Sequence, residues 1–287
     1  MKKISYSEYK ATLKELGVSY LGRFSQSAKM VLNEKAGKVI TYSLYLAPAN
    51  MSGYEVCPFS SRCRDLCLSG SGRNKGDIIA HGIEGSVINR SRIKKTHLFF
   101  ENRELFMRLL CYELEKTQRY AKKRGMGFSV RLNCTSDISP LAFKVDGKNI
   151  LEMYPNVTFY DYTKVPNRVN LVKQYTNYHL TFSYDGGNWE TCEKFLMQGI
   201  NVAVVFESSE LPIAFRGYRI IDMTKTDLRY LDPKSNDGEG FVGYLHFHRP
   251  ASLYKSGRYE RPNTPFVITE DDPEVLYAFK CARSIDE

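Results

Sequence analysis

The chain of 287 residues lacks an apolar run long enough to cross a membrane, since a spanning helix needs roughly 18 or more consecutive apolar residues. Its longest run, Ile200 to Phe206, is short and is interrupted by Asn201. The basic start, MKKISYSEYK, has no apolar segment behind it and so does not have the form of a secretory signal. We therefore expect a soluble, cytoplasmic protein with no membrane role.

The sequence also lacks low-complexity tracts and fixed-period repeats. Hydrophobic residues make up 43% of the chain and charged residues 25%, which is typical of a globular protein that can form one sizeable domain. Without an export signal, the seven cysteines are expected to lie in a reducing compartment, where metal ligation or catalysis explains a cysteine cluster better than disulfides do. The net charge of +9 favours a phosphate-bearing partner, either nucleic acid or a nucleotide.

The sequence pattern predicts strands that alternate with helices. Residues 1–37 are expected to form an N-terminal extension with a helix at Ser7–Leu16 and then a loop, GRFSQSAKM. The first core strand is predicted at Lys38–Ala47, and two helices that meet near Glu101–Asn102 fill Ile78–Arg124. Six further strands begin at Phe128, Asn156, Tyr178, Asn201, Tyr218 and Phe241, with a short helix at Trp189–Met197. This alternation predicts an α/β fold with a largely parallel sheet, which we interpret as a partial or complete (β/α) barrel over residues 38–287.

The segment from Asn50 to Asp77 is rich in glycine, serine and cysteine, and it predicts a long functional loop. Cys57, Cys63 and Cys67 lie in CPFSSRCRDLC, close enough along the chain to reach one centre. Three thiolates on one loop are soft ligands that suit zinc or an iron–sulfur cluster. Three unrelated cysteines are the alternative, but free cysteines usually lie singly in apolar surroundings, whereas these have polar and charged neighbours.

A fourth ligand distinguishes the two kinds of metal centre. A structural zinc site needs four protein ligands, for which Cys134 and His81 are the further candidates. A [4Fe–4S] cluster held by three cysteines instead leaves one iron open to a small molecule. The loop directly follows the first predicted strand, and this placement favours the open cluster, so we expect that Cys134 is not a ligand.

The order of strand, three-cysteine loop, helix and further β/α units resembles the layout of radical S-adenosylmethionine enzymes. This resemblance implies a [4Fe–4S] cluster and S-adenosylmethionine as cofactors. The cysteines are separated here by five and then three residues, which is wider than in those enzymes.

Over most of its length the chain is also similar to a bacteriophage family named after gene product 88. The motifs that carry the similarity are SAKM (27–30), YLAPA (45–49), CPFSSRCRDLC (57–67) with the following Gly72–Arg73, RLNCTSD (131–137), YDYTK (160–164) and TDLRYLDP (226–233). This resemblance implies a phage or mobile-element origin, and hence a host-cell location, together with a cysteine loop of the cluster-binding type. It brings no established activity.

Polar residues follow the predicted strands, and in a barrel such strand ends converge on one mouth. Each of them alone is often a turn or cap residue, but together they predict a substrate pocket. Asp137 and Asp161 are expected to transfer protons. Lys164 is a third catalytic candidate, and together with Arg229 it is expected to bind a carboxylate or phosphate. The residues expected to bind the cofactor are Arg229, Asn133, Ser136, Ser183 and Asp185. The other expected pocket residues are Thr163, Asp222 and Asp227.

The predicted helices from Arg90 to Arg124 carry eleven Lys or Arg residues and four Glu residues. Such a surplus of positive charge predicts either a solvated helix face or a surface that binds DNA phosphates regardless of sequence. The affinity of such a surface for DNA would fall as salt is added. The expected contacts are Lys94, Lys95, Lys122, Lys123 and Arg124. A metal-stabilised nucleic-acid-binding protein is therefore the second function considered.

The tripeptide His246-Phe247-His248 matches the two-histidine motif of rolling-circle replication endonucleases. In those enzymes the histidines and an acidic group bind a divalent metal and a tyrosine attacks DNA, and Tyr254 and Tyr259 follow here. Alternation along a strand produces the same histidine pair without any such function. A metal-dependent nicking endonuclease is the third function considered.

Overall fold

One large sheet organises the chain, in a computed structural model that describes residues 2–24 and 27–278. The strands are β1 (Gly22–Phe24), β2 (Val39–Leu44), β3 (Gly127–Arg131), β4 (Lys144–Val145), β5 (Lys148–Asn149), β6 (Thr158–Thr163), β7 (Tyr178–Ser183), β8 (Val202–Glu207), β9 (Ala214–Phe215), β10 (Tyr218–Asp222), β11 (Val242–His246), β12 (Tyr254–Lys255), β13 (Arg258–Tyr259), β14 (Val267–Thr269) and β15 (Val275–Leu276). The helices are α1 (Tyr6–Leu16), α2 (Ala28–Lys35), α3 (Gly72–Gly85), α4 (Val87–Glu101), α5 (Arg103–Lys123), α6 (Ile150–Met153), α7 (Asn170–Gln174) and α8 (Trp189–Leu196). None of the helices in these described ranges is long and apolar enough to span a membrane.

The middle of the sheet has the order β2-β3-β6-β7-β8-β11-β10, and each neighbouring pair in this series is parallel. β1 joins β2 in the antiparallel sense, β9 and β15 add an antiparallel edge beside β10, and β14 pairs in parallel with β8. The protein is therefore an α/β fold with a mixed sheet. No ladder among the described residues joins β1 to β15, so the predicted barrel closure is not confirmed.

All seven core strands predicted from the sequence are present, as are α1 and α8. The predicted break between the two long helices is confirmed at Asn102, whose side chain caps α5 by accepting the N–H of Leu105 at 3.1 Å. The first of these two predicted helices is wrong in part, because Ser86 divides it into α3, which begins inside the predicted loop at Gly72, and α4.

The predicted loop before the first core strand is wrong in part. Gly22–Phe24 forms β1 because it pairs with β2, where Gly22 lies opposite Leu44. The pairing supplies what this short segment lacks in strand propensity of its own. Ser27 starts α2 by accepting the N–H of Met30 at 3.4 Å. Residues 25 and 26 lie outside the described residues.

Helices α4 and α5 contribute to an apolar core on one face of the sheet, where Phe106 and Leu110 lie in the same core cluster as β-strand residues such as Val130. Glu113 of α5 is a charged residue in this part of the protein and is almost completely buried. Its carboxylate accepts hydrogen bonds from the hydroxyl groups of Tyr9 and Tyr42 and from the backbone N–H groups of Leu21 and Gly22. Residues from α1 and β1 are therefore anchored in the same core as the sheet.

Candidate functional site

A cavity of about 350 Å³ lies where β3, β6 and β7 end. The cysteine loop contributes Cys57, Cys63 and Cys67 to its lining, and the segments at the strand ends contribute the other walls. Carboxyl ends of parallel strands are the usual place for ligand-binding groups in α/β sheets, because their loops emerge at the same edge. The predicted pocket residues that line this cavity are Asn133, Ser136, Asp137, Thr163, Lys164 and Ser183.

Hydrogen bonds tie the cysteine loop to the turn after β7. The hydroxyl of Ser61 donates to Asp185 at 2.8 Å, and the guanidinium of Arg62 donates to the carbonyl of Gly186. The other oxygen of Asp185 accepts the N–H groups of Gly187 and Asn188 at 2.8 and 3.0 Å. Asp185, predicted to bind a cofactor, thus positions the loop and does not itself line the cavity.

The three loop thiols are half-buried around the cavity. Burial raises the pKa of the Cys57 thiol to about 12 and also raises the pKa of Cys63, although the nearby Lys164 ammonium acts in the opposite direction. The two thiols are therefore protonated at neutral pH in this conformation, and metal ligation would release protons. Within residues 2–24 and 27–278, no group of three His, Cys, Asp or Glu side chains has the arrangement of a metal site.

Asp137 lies in the cavity wall, but its carboxylate is already engaged. It accepts hydrogen bonds from the Thr163 hydroxyl and the Lys164 N–H, each at 2.9 Å, and forms a buried ion pair with Arg168. These contacts fasten the loop after β3 to the end of β6. The structure therefore gives Asp137 a positioning role, while its role in proton transfer stays a prediction.

Asp161, on β6, is buried beside the cavity and accepts the backbone N–H and the side-chain amide of Asn133 at 2.8 and 2.9 Å. Burial raises the pKa of Asp161 to about 7, against these two hydrogen bonds, which favour the charged form. The side-chain oxygen of Asn133 in turn accepts from the Ser136 hydroxyl and the Ile138 N–H. This network sets the conformation of the loop that follows β3.

Arg131 and Tyr162 line the cavity, and neither was predicted from the sequence. The Arg131 guanidinium pairs with the fully buried Asp227 at 2.7 Å and lies over the Tyr162 ring, 4.6 Å from its centroid. The Tyr160 and Tyr162 hydroxyls also donate to Asp227, at 3.2 and 3.3 Å. A charged residue at the end of an otherwise apolar strand was the available signal for Arg131.

Three further predicted residues lie away from the cavity lining. Arg229 is buried against Asp232, with 3.4 Å between the charged atoms. Asp222 accepts the backbone N–H of Thr224 at 2.8 Å, as an ordinary turn residue does. The ring of His81 is exposed and lies 4.0 Å from a carboxylate oxygen on its own helix, so the structure does not bring it to the cysteines.

The other described cysteines, Cys111, Cys134 and Cys192, are buried. Cys134 lines the same cavity as the loop thiols, and burial raises its pKa to about 12. Cys111 lies in the apolar core on α5, as its helical spacing predicted. Cys281 falls outside the described residues.

The basic helices present only part of their charge to solvent. Arg92 and Lys95 are buried, and the Lys95 ammonium lies 4.7 Å from the centroid of the Tyr20 ring. Burial lowers the pKa of Lys95 to about 8. Lys95 is therefore not available as a DNA contact, which corrects that prediction. The exposed cations of this stretch are Arg90, Lys94, Lys116, Arg119, Lys122, Lys123 and Arg124.

The histidine pair has a setting unlike that of the replication endonucleases. The rings of His246 and His248 lie 5.9 Å apart at the end of β11, which is between two parallel neighbours rather than in a small antiparallel sheet. The Tyr259 hydroxyl donates to Glu207 at 2.6 Å, and burial raises the pKa of Tyr259 to about 12. The described residues provide no third metal ligand for this pair.

A family model described as Gene product 88 matches residues 21–256, which cover more than half of the chain. The matched span includes the cysteine loop and the ends of β3, β6 and β7 that form the cavity. The match fits the predicted phage origin, whereas the radical S-adenosylmethionine layout gains no support from it. No curated protein and no solved structure matches the chain. The chain thus belongs to the Gene product 88 family, as its motifs predicted.

Proposed function

We propose that this protein holds an iron–sulfur cluster on Cys57, Cys63 and Cys67 and acts on a small molecule in the adjoining cavity. One observation carries the proposal: three thiols from a single loop line the same cavity as polar side chains from the ends of three parallel strands. Thiolates are the ligands that iron–sulfur clusters use, and these three come from one segment of eleven residues, 57–67.

The residues around the thiols suit such a cluster. Lys164 and Arg131 place positive charge in the cavity wall, where it would offset the negative charge of ligated thiolates. The cluster would supply electron transfer or an open iron site. Because the loop provides three thiols, one iron is left for the small molecule, and S-adenosylmethionine is the candidate that the architectural resemblance suggests.

Anaerobic expression and purification tests the cluster. We expect a brown protein with iron and acid-labile sulfide and with thiolate-to-iron absorption in the visible range. Replacement of Cys57, Cys63 or Cys67 by Ala should remove the iron, whereas Cys111→Ala, a matched change in the apolar core, should keep it. A colourless protein with stoichiometric zinc, or equal iron loss from Cys111→Ala, would contradict the proposal.

Cys134 decides between an open and a closed cluster, since it lines the same cavity. We expect Cys134→Ser to keep the iron and the colour. The paramagnetic resonance spectrum of the reduced cluster should then change when S-adenosylmethionine is added. Loss of the cluster in Cys134→Ser, or a spectrum that added small molecules leave unchanged, indicates a closed, electron-transferring site.

Nucleic-acid binding is the second candidate, because the last turn of α5 and the residue after it carry Lys122, Lys123 and Arg124 in exposed positions. Exposed cations of this kind neutralise phosphates, and the resulting affinity falls steeply with salt.

A further inference from the structure

Arg131 is held rigidly at the cavity with part of its hydrogen-bonding capacity unused. Its side chain is 12% exposed, and its Nη1 pairs with Asp227 while the ring of Tyr162 lies against the guanidinium. Its Nε is buried without a hydrogen-bond partner among the described residues. Asp227 occupies Nη1 and Nε is enclosed by protein atoms, so Nη2 is the guanidinium nitrogen left for an oxyanion in the cavity.

The charges around Arg131 do not balance. Lys29, Arg131 and Arg229 surround Asp227, with Lys29 3.9 Å from its carboxylate, and Asp232 is the second carboxylate of the group. This group holds three cations and two carboxylates. Asp161 also interacts with Arg131, but burial raises the pKa of Asp161 to about 7, so it offsets only part of the excess positive charge. Positive charge in excess at a partly buried group favours the arrival of an anion.

The cavity lining adds no free negative charge to oppose such an anion. Asp137 is the one carboxylate among the described lining residues, and Arg168 already pairs with it. Lys164 lies in the same lining and adds a further cation. A volume of about 350 Å³ suits a small molecule rather than a polymer.

We infer that the small molecule bound in this cavity carries a carboxylate or phosphate group that pairs with Arg131. The inference rests on the proposed function for the use of the cavity and adds the chemical class of its ligand. It does not require the cluster, because Arg131 belongs to β3 and its partner Asp227 lies outside the cysteine loop.

The test is the unfolding temperature of the full chain, purified anaerobically, in inorganic phosphate, in succinate, and in potassium chloride of matched ionic strength. At least one of the two oxyanions should raise the unfolding temperature of the wild type more than chloride does, by mass action on the folded state. The oxyanion that does so identifies the group as phosphate or carboxylate. If neither exceeds chloride, the inference is overturned.

Two variants locate the effect. The double change Arg131→Met with Asp227→Asn removes both charges, so no carboxylate is left buried alone, and it should abolish the extra shift. Arg131→Lys keeps the charge but loses the planar fork, and it should weaken the apparent affinity about tenfold while the protein stays folded. Arg124→Met, an exposed change at the end of α5, should leave the shift unchanged because general salting effects act equally on both proteins. An undiminished shift in both Arg131 variants would overturn the inference.

The same measurement on Cys57→Ala separates this inference from the cluster proposal. The oxyanion shift should persist there although iron is lost, and the double variant should keep its colour although the shift is lost. Iron that is absent from every variant would refute the cluster and leave the anion site standing. A shift that disappears with Cys57→Ala, while Arg131→Lys retains it in full, would place the anion at the thiols and overturn the assignment to Arg131.

Discussion

Replacement of Glu113 by Ala should destabilise the fold severely, because this one carboxylate is the acceptor for four buried donors. A buried donor that loses its acceptor costs about 1–3 kcal/mol. The backbone N–H groups of Leu21 and Gly22 are fixed by the chain, so they alone account for about 2–6 kcal/mol. The hydroxyls of Tyr9 and Tyr42 can rotate toward other acceptors and add less. Against a typical stability of about 5–15 kcal/mol, such a loss is a large share.

Urea unfolding followed by circular dichroism measures this loss. Glu115→Ala is the matched control, two residues further along α5, because Glu115 forms ion pairs with the exposed Lys3 and Arg119, at 3.3 and 3.8 Å. The control should lose less than about 1 kcal/mol, as exposed ion pairs do. If Glu113→Ala costs no more than Glu115→Ala, the carboxylate is not the anchor of α1 and β1, and the reasoning fails.

Three further changes test other parts of the fold and surface. The pKa of Asp161 is about 7 in the folded protein against an ordinary 3.8, so the folded state binds this proton more tightly and the wild type loses stability as pH rises between these values. The urea midpoint of Asp161→Asn should therefore fall less than that of the wild type from about pH 4 to pH 8, and parallel pH profiles of the two midpoints would contradict the shift. Gly186→Ala places a Cβ 2.6 Å from the backbone nitrogen of Phe266, at a φ of +93°. It should lower the unfolding temperature more than Gly217→Ala, where φ is +81° but no atom lies within 4 Å of the new Cβ. Equal effects of the two changes would show that the backbone at Gly186 shifts to relieve the clash. Neutral replacements of the exposed cations at the end of α5 should flatten the salt dependence of DNA binding, and a wild type without measurable binding at about 50 mM salt would leave these charges as a solvated face. The cations to replace together are Arg119, Lys122, Lys123 and Arg124.

The sequence predicted the strands well because each is a short run of β-branched and aromatic residues bounded by turn residues, a local signal that tertiary contacts here reinforce. It also predicted that the loop with Cys57 and the polar residues after β3, β6 and β7 lie close together, since parallel strands send their carboxyl ends to one edge, and residues from all of these segments line one cavity. The shortest elements were missed because they depend on partners: β1 is a strand through its pairing with β2.

Roles within the site depended on contacts between residues far apart in the chain. The sequence by itself marked Asp137 as a strand-end carboxylate, and only the tertiary structure showed that Arg168, 31 residues away, occupies it. In the same way, Asp227 lies 96 residues beyond Arg131 and fixes it at the cavity wall. Local patterns specify the element in which a side chain lies and the edge of the sheet that it reaches. Burial and charge pairing are properties of the packed chain, so they decided which polar groups remain free to meet a ligand.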